Sequence, residues 1–333
     1  MMWPTIWGAA VLLFLGTAGL NAQVRTADPA KRGLQLIEFP RFIKLADNVY
    51  GYEEIRSPGF TTVSLIVVGT NGVLIADGQG SAVATQTLLD RIRTLTDLPV
   101  RWYVVGSDHG DHTAGNSVLP KDVTYIVHPT SRLQLERDAA AASAAHETAA
   151  AAASTRGTPP PAQRVVIVPP AAMTSDREVV DVGGITVEVL FLGRAHTGGD
   201  LSVYLPNQKI LFMSEAYLNR VFPAMRSAYP SEWVRTVERA LTLDVQHYVP
   251  GHGFVEEPNI SREELVNFKD ALLAVIAEAK RLHTLGLSPD DALKQANWGM
   301  YQEWFLAQQQ APIALRRVFD EIDGKLSPLQ RDP

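Results

Sequence analysis

Apolar and polar residues are arranged along the chain as two strand-rich stretches with a long alanine tract between them. In the first stretch, Asn48-Val49-Tyr50-Gly51-Tyr52, Thr62-Val63-Ser64-Leu65-Ile66-Val67-Val68 and Val73-Leu74-Ile75-Ala76 read as strands. A helix is predicted next over residues 81–95, where Ala84, Leu88, Leu89 and Ile92 recur at helical spacing. The apolar run Trp102-Tyr103-Val104-Val105-Gly106 then reads as a buried strand ending in a tight turn. The second stretch repeats the strand pattern over 178–180, 186–192, 201–205 and 209–212. Residues 139–154 are alanine-rich and predict a helix, closed by the proline-rich 155–161. This insertion has two readings, a lid over a pocket or an exposed helix, and the second is favoured because alanine brings no substrate chemistry.

Beyond residue 253 the pattern turns helical. Ser261 and Glu264 form a capping box ahead of Leu265, Phe268, Leu272 and Val275. Ser288-Pro289-Asp290 opens another helix, and Pro312 opens a third that ends before Gly324. Trp298, Trp304 and Phe305 read as core anchors rather than a binding cage.

Composition narrows the class. With 333 residues, 46% of them hydrophobic and 20% charged, the chain can bury a sizeable core. A net charge of -6 argues against nucleic acid as a partner, which needs clustered cations to neutralise phosphates, and leaves a small molecule as the expected substrate. There is no cysteine, so any metal site must be built from nitrogen and oxygen ligands. Residues 6–20 form an apolar run, short of the roughly 20 residues a membrane helix needs, and Asn21-Ala22-Gln23 follows as a cleavage site. Residues 1–22 therefore read as a signal peptide, although the first basic residue is Arg25 and a basic n-region is missing. Cleavage predicts a periplasmic or secreted protein with no stable membrane insertion, beginning with a disordered leader over 23–43; an uncleaved segment predicts a membrane anchor.

The chemistry sits in three loops. Four of the eight histidines fall in Ser107-Asp108-His109-Gly110-Asp111-His112, Arg194-Ala195-His196-Thr197-Gly198-Gly199-Asp200 and Pro250-Gly251-His252-Gly253. Imidazole and carboxylate at this density are the ligands that hold zinc. These loops, in this order, resemble the metallo-β-lactamase superfamily, whose signature is His-x-His-x-Asp-His followed by histidines in Gly-x-x-His-Thr-x-Gly-Asp and Pro-Gly-His-Gly loops. The resemblance covers about residues 44–255 and includes the run Gly69-Thr70-Asn71-Gly72-Val73-Leu74-Ile75-Ala76-Asp77-Gly78 and Thr113-Ala114-Gly115-Asn116.

The resemblance implies an α/β fold, the four-layer αβ/βα sandwich of two facing sheets with helices outside, metals at one sheet edge and residues 256–333 as a C-terminal helical extension. It assigns His109 and His196 to one metal and Asp111, His112 and His252 to a second. Ser107 departs from the pattern: it stands where the family places its leading histidine and removes one ligand from the first site. One tightly bound zinc and a weaker second are expected. Glu215, at the end of Ile210-Leu211-Phe212-Met213-Ser214, matches a bridging aspartate with one extra methylene, and three readings stay open: a bridge between metals, a ligand of the second metal alone, or a surface residue at a strand end. Asp77 and Asp200 correspond to positions that brace the metal loops. His128, His146, His247 and His283 lack partners at ligand spacing and stay outside the site.

A divalent ion in such a site lowers the pKa of water from about 15.7 toward 7 and polarises carbonyls. The implied activity is a zinc-dependent hydrolase acting on a small ester, lactone, thioester or β-lactam, with Asp111 as the catalytic group that orients the water. The alternatives are an iron-containing oxidoreductase on the same fold and a degenerate, non-catalytic metal-binding member.

Overall fold

The computed structural model describes residues 24–326 apart from 57, 157, 160 and 161, so the signal-like segment 1–22 lies outside the described residues. Strands β1 (Arg41–Ala46), β2 (Val49–Arg56), β3 (Phe60–Gly69), β4 (Gly72–Ala76), β5 (Val100–Val104) and β6 (Thr124–Ile126) form one sheet in chain order. Helix α1 (Ala82–Ile92) crosses from β4 to β5, which makes that pair parallel, and a single turn, α2 (Gly110–Thr113), follows β5. Helix α3 (Pro129–Thr155) leads to the second sheet, made of β7 (Arg177–Asp181), β8 (Thr186–Leu190), β9 (Ser202–Leu205), β10 (Ile210–Phe212) and β11 (His247–Val249). Its order is β11-β10-β9-β8-β7, with α4 (Pro230–Thr242) between the parallel pair β10 and β11. Helices α5 (Pro258–Thr284), α6 (Pro289–Gln295) and α7 (Ala307–Ile322) complete the chain.

The two-residue period of each strand decides which layer its side chains join. In β4, Leu74 and Ala76 face the second sheet, where they meet Val187, Val203 and Phe212 in one buried cluster. Val73 and Ile75 face the other way, onto Leu88, Leu89 and Ile92 of α1. In β10, Ile210 and Phe212 join the layer between the sheets while Leu211 turns outward toward Trp233 of α4 and Phe268 and Leu272 of α5. This gives helix, sheet, sheet, helix. Each fully buried side chain of that size contributes about 1.5–3 kcal/mol relative to exposure, so the alternation itself specifies the stacking. Leu315, Val318 and Phe319 of α7 belong to the same outer cluster, so the C-terminal helices share the core of the second sheet.

Several boundaries differ from expectation. Helix α5 starts at Pro258, ahead of the Ser261 capping box, because proline suits the first helical position. The Ser261 hydroxyl instead ties α5 to β11, accepting from Tyr248 N at 3.2 Å. Helix α7 starts at Ala307, and Pro312 lies inside it; burial of Ala311, Ala314 and Leu315 offsets the lost backbone bond. Helix α3 begins at Pro129, well before the alanine tract, with the His128 ring accepting from Thr130 N as its cap. Residues 24–40 are docked rather than disordered: Ala27 is fully buried, Arg32 pairs with Glu256, and Arg25 and Arg220 both reach the buried Glu264, at 2.9 and 2.5 Å. Buried carboxylates require cationic partners, and the leader supplies two of them.

Candidate metal centre

The loops at the strand ends meet at one edge of the sandwich. Strand β5 delivers Ser107 through α2, the β8–β9 connection delivers His196, β10 runs into a short turn at Ser214–Ala216 that carries Glu215, and β11 runs into the His252 loop. Close backbone approach makes this possible. A Cβ on Gly251 would lie 2.4 Å from Ser214 C, and one on Gly106 would lie 2.7 Å from Ser214 Cβ, so both positions exclude any side chain. Thr61 and Val63 of β3 hold the last loop: the Thr61 hydroxyl donates to Gly253 O, and Val63 N donates to Gly251 O at 2.9 Å.

Six predicted residues come together as two groups able to hold a metal ion: His109, His196 and Glu215, and Asp111, His112, His252 and Glu215. Glu215 is common to both, and among its three readings the surface position is excluded, since it is buried. Its Oε2 lies 2.8 Å from His109 Nδ1 and its Oε1 3.2 Å from both His196 Nε2 and His252 Nε2. Asp111 Oδ2 is 3.1 Å from His252 Nε2.

The imidazole nitrogens face each other. His112 Nε2 and His252 Nε2 are 3.2 Å apart, and His109 Nδ1 and His196 Nε2 are 3.0 Å apart. A gap of this length holds one proton at most. On the far side of the rings, His252 Nδ1 donates to Thr61 O at 2.8 Å, and His112 Nδ1 lies 3.1 Å from Asp77 Oδ2. On the site side, four imidazole nitrogens converge with two carboxylates, a donor set that fits a divalent cation of the zinc or iron type.

Asp77 joins the loops. Its Oδ1 accepts from Gly106 N at 2.7 Å and Ser107 N at 3.3 Å, while its Oδ2 accepts from the Ser214 hydroxyl and faces His112. Asp200 closes the His196 loop on itself, accepting from Thr197 N at 2.6 Å and Thr197 Oγ1 at 2.7 Å. Ser107 is fully buried and donates to Glu215 Oε2 at 2.5 Å.

Without a cation the site titrates far from ordinary values. Burial opposes charging of His109, but the Glu215 carboxylate, with Asp111 and Asp200, outweighs it and lifts the ring to about 9. His112 likewise reaches about 9, burial being overcome by Asp77, Asp111 and Glu215. Burial pushes the Glu215 and Asp111 carboxyls up, yet the facing imidazoles hold both well below the usual carboxylate range.

The remaining histidines lie in neither group. His128 stacks on Phe191 with centroids 4.1 Å apart, His247 Nε2 pairs with Glu256 O at 2.8 Å, His283 meets Asp323 at 2.9 Å, and His146 is on α3. Reading the sequence missed Arg56, whose Nη1 lies 2.8 Å from Asp111 Oδ2, and the first turn of α7, whose Gln309 and Gln310 line the cleft beside the metal groups. Neither carries a local signal, because residues 56 and 306–310 become neighbours of the site only through the tertiary fold.

No family model matches the chain. The 2,4-dinitroanisole O-demethylase subunit alpha of Nocardioides sp. (strain JS1661) is 28% identical over 80 residues, 24% of this chain and 24% of its own. The chain thus aligns with about a quarter of that relative's length. Among solved structures, a stereoselective inverting sec-alkylsulfatase from Pseudomonas sp. aligns with 91% of this chain and 54% of its own at a TM-score of 0.67 and 16% identity. A metallo-β-lactamase from Pontibacter korlensis aligns with 70% of this chain and 98% of its own at a TM-score of 0.55 and 21% identity. The chain has the metallo-β-lactamase fold, a mixed α/β sandwich of two sheets, and carries a cluster able to bind metal at its edge.

Proposed function

We propose that this protein is an exported zinc-dependent hydrolase of small esters, lactones, thioesters or lactams. The observation that carries the reading is the convergence of four imidazoles and two carboxylates around Glu215 at the floor of an open cleft. Hydrolytic neighbours on this fold, a sulfatase and a β-lactamase, support the reaction class and add sulfate esters to the substrates worth testing. Residues 6–20 support export.

His109, His196 and Glu215 would hold one cation and Asp111, His112, His252 and Glu215 another. A bound divalent ion supplies a nucleophilic water at neutral pH and electrophilic stabilisation of developing negative charge. The chain's own residues do the rest. Asp111 would accept a hydrogen bond from the attacking water and orient it toward the scissile bond. Thr61 and Asp77 fix the rings of His252 and His112. Water adds across the scissile bond, so that the alcohol, thiol or amine leaves with one proton and the acid keeps the oxygen.

The test is metal analysis of protein purified without added zinc, coupled to turnover of chromogenic esters, lactones, lactams and sulfate esters. Zinc content with turnover abolished by a chelator and restored by zinc supports the proposal. Iron in the purified protein, or no turnover of any substrate when zinc is bound, overturns it.

A further inference from the structure

The cleft above the metal groups has a volume of about 450 Å³, which suits a small molecule rather than a polymer. Its lining combines an apolar set, Phe60, Leu218, Val221, Ala224 and Leu306, with two guanidinium groups, Arg56 and Arg226. We propose that the substrate is an organic anion, its charged oxygens held by Arg56 and Arg226 and its hydrocarbon part lying on the apolar set. The proposal deepens the hydrolase reading and rests on it.

Arg56 is already positioned. Its guanidinium lies 5.2 Å over the Phe60 ring, and its Nη1 donates to Asp111 at 2.8 Å. Phe60 in turn packs on His252, with centroids 4.9 Å apart. A guanidinium carries five N–H donors in a rigid fork, and Asp111 takes one of them. The others have no partner among the described residues and match the paired oxygens of a carboxylate, sulfate or phosphate. Arg226 is exposed, lines the same cleft and has no acidic partner among the described residues. It adjoins Ser227, whose Oγ is 3.4 Å from His109 Nε2, so a group held there lies beside the metal ligands.

Charge points the same way. Leaving the imidazoles aside, the cleft sets Asp111 and Glu215 against Arg56 and Arg226, two charges of each sign. Any divalent cation held by the two carboxylates leaves the cleft net positive. The chain as a whole carries -6, so this positive field is local to the cleft and selects for anions there rather than over the whole surface. Gln309 and Gln310 add amide donors at the start of α7.

The experiment is calorimetric titration of hexyl sulfate, hexanoate and 1-hexanol into the full chain, both metal-free and zinc-loaded. The proposal expects both anions to bind and hexanol to bind on the order of tenfold more weakly in each form. Arg226→Ala should weaken the anions on the order of tenfold and leave hexanol unchanged, Arg226→Lys should restore part of the loss, and Arg316→Ala, outside the cleft, should change nothing. A sulfate preference over hexanoate identifies a sulfate ester as substrate, whereas equal affinities identify recognition of the oxyanion alone. Hexanol binding as tightly as the anions, or an Arg226→Ala variant with unchanged affinity, overturns the proposal. Anion binding without turnover of any ester would sink the hydrolase reading and leave this site standing. Equal turnover of neutral and anionic esters with no Arg226→Ala effect would do the reverse.

Discussion

Ser107→Ala tests the electrostatics of the site with the removal of a single oxygen. The Ser107 hydroxyl donates to Glu215 Oε2 at 2.5 Å, and both residues are buried. Glu215 is ionised there, because His109, His196 and His112 overcome the burial that opposes its charge. A hydrogen bond to a charged, buried group contributes about 1.5–3 kcal/mol net, and the cavity left by one oxygen adds little. The metal-free variant should therefore lose about 1.5–3 kcal/mol of unfolding free energy. With zinc bound to the Glu215 carboxylate, the cation takes over the role of the lost donor, and the loss should shrink to about 1 kcal/mol or less. The thermodynamic cycle then requires the variant to bind zinc more tightly by about 1 kcal/mol, roughly fivefold. Urea unfolding with and without chelator gives the two stabilities, and a competition titration gives the affinity. Equal losses in both forms, or no loss in the metal-free form, would refute the argument that Ser107 acts through Glu215.

Native mass spectrometry after extensive dialysis should show one retained zinc, with a second appearing only in excess metal, and Ser107→His should strengthen the second; two equally tight ions in the wild type would rule out the asymmetry. In kcat/KM measurements with metal content determined alongside, Asp111→Ala should lose about 10²-fold or more, His252→Ala should lose more than His109→Ala, and His128→Ala should change little. Full activity in Asp111→Ala would remove its proposed role. His109 and His112 are raised to about 9 from an ordinary 6.5, so in chelator-treated protein their stabilising protonation is complete below about pH 6.5 and is lost as pH climbs through 9. Unfolding free energy should fall across that window without metal and stay nearly level with zinc; a metal-free protein that gains stability there would contradict the assignment.

The sandwich was readable because its strands obey the two-residue period so closely. Val73 and Ile75 against Leu74 and Ala76 already separate the outer layer from the inner one. The metal groups were readable because histidine is rare in this chain and lies in short loops directly after strand-like runs, where a change of direction is forced. Arg56 was not, since an arginine at a strand end is ordinary surface chemistry until the fold sets it 2.8 Å from Asp111. The docked leader was equally hidden: Arg25 and Arg32 look solvated in isolation, and only the buried Glu264 and Glu256, more than two hundred residues away, give them partners. At Ser261 the expected capping box does not form, because Pro258 begins the helix one turn earlier with Glu257 at its N-cap and the hydroxyl is recruited to β11.

The cleft wall and the metal groups are built from different parts of the chain. Apart from Glu215 and the ring loops, the wall comes from the β2–β3 connection, from residues 218–227 and from the opening turn of α7, none of which supplies a metal-holding group. Part of that wall braces the ion-holding loops, since Arg56 bonds Asp111, Phe60 packs on His252 and Leu218 forms a backbone bridge to His252, whereas Ala224, Arg226, Gln309 and Gln310 line the cleft without such a contact, so change at those four positions can reshape what the cleft admits. A library confined to positions 224, 226, 309 and 310 would sample new specificities while leaving the ion-holding loops and their supports as they are, so that selectivity could be varied apart from the metal groups.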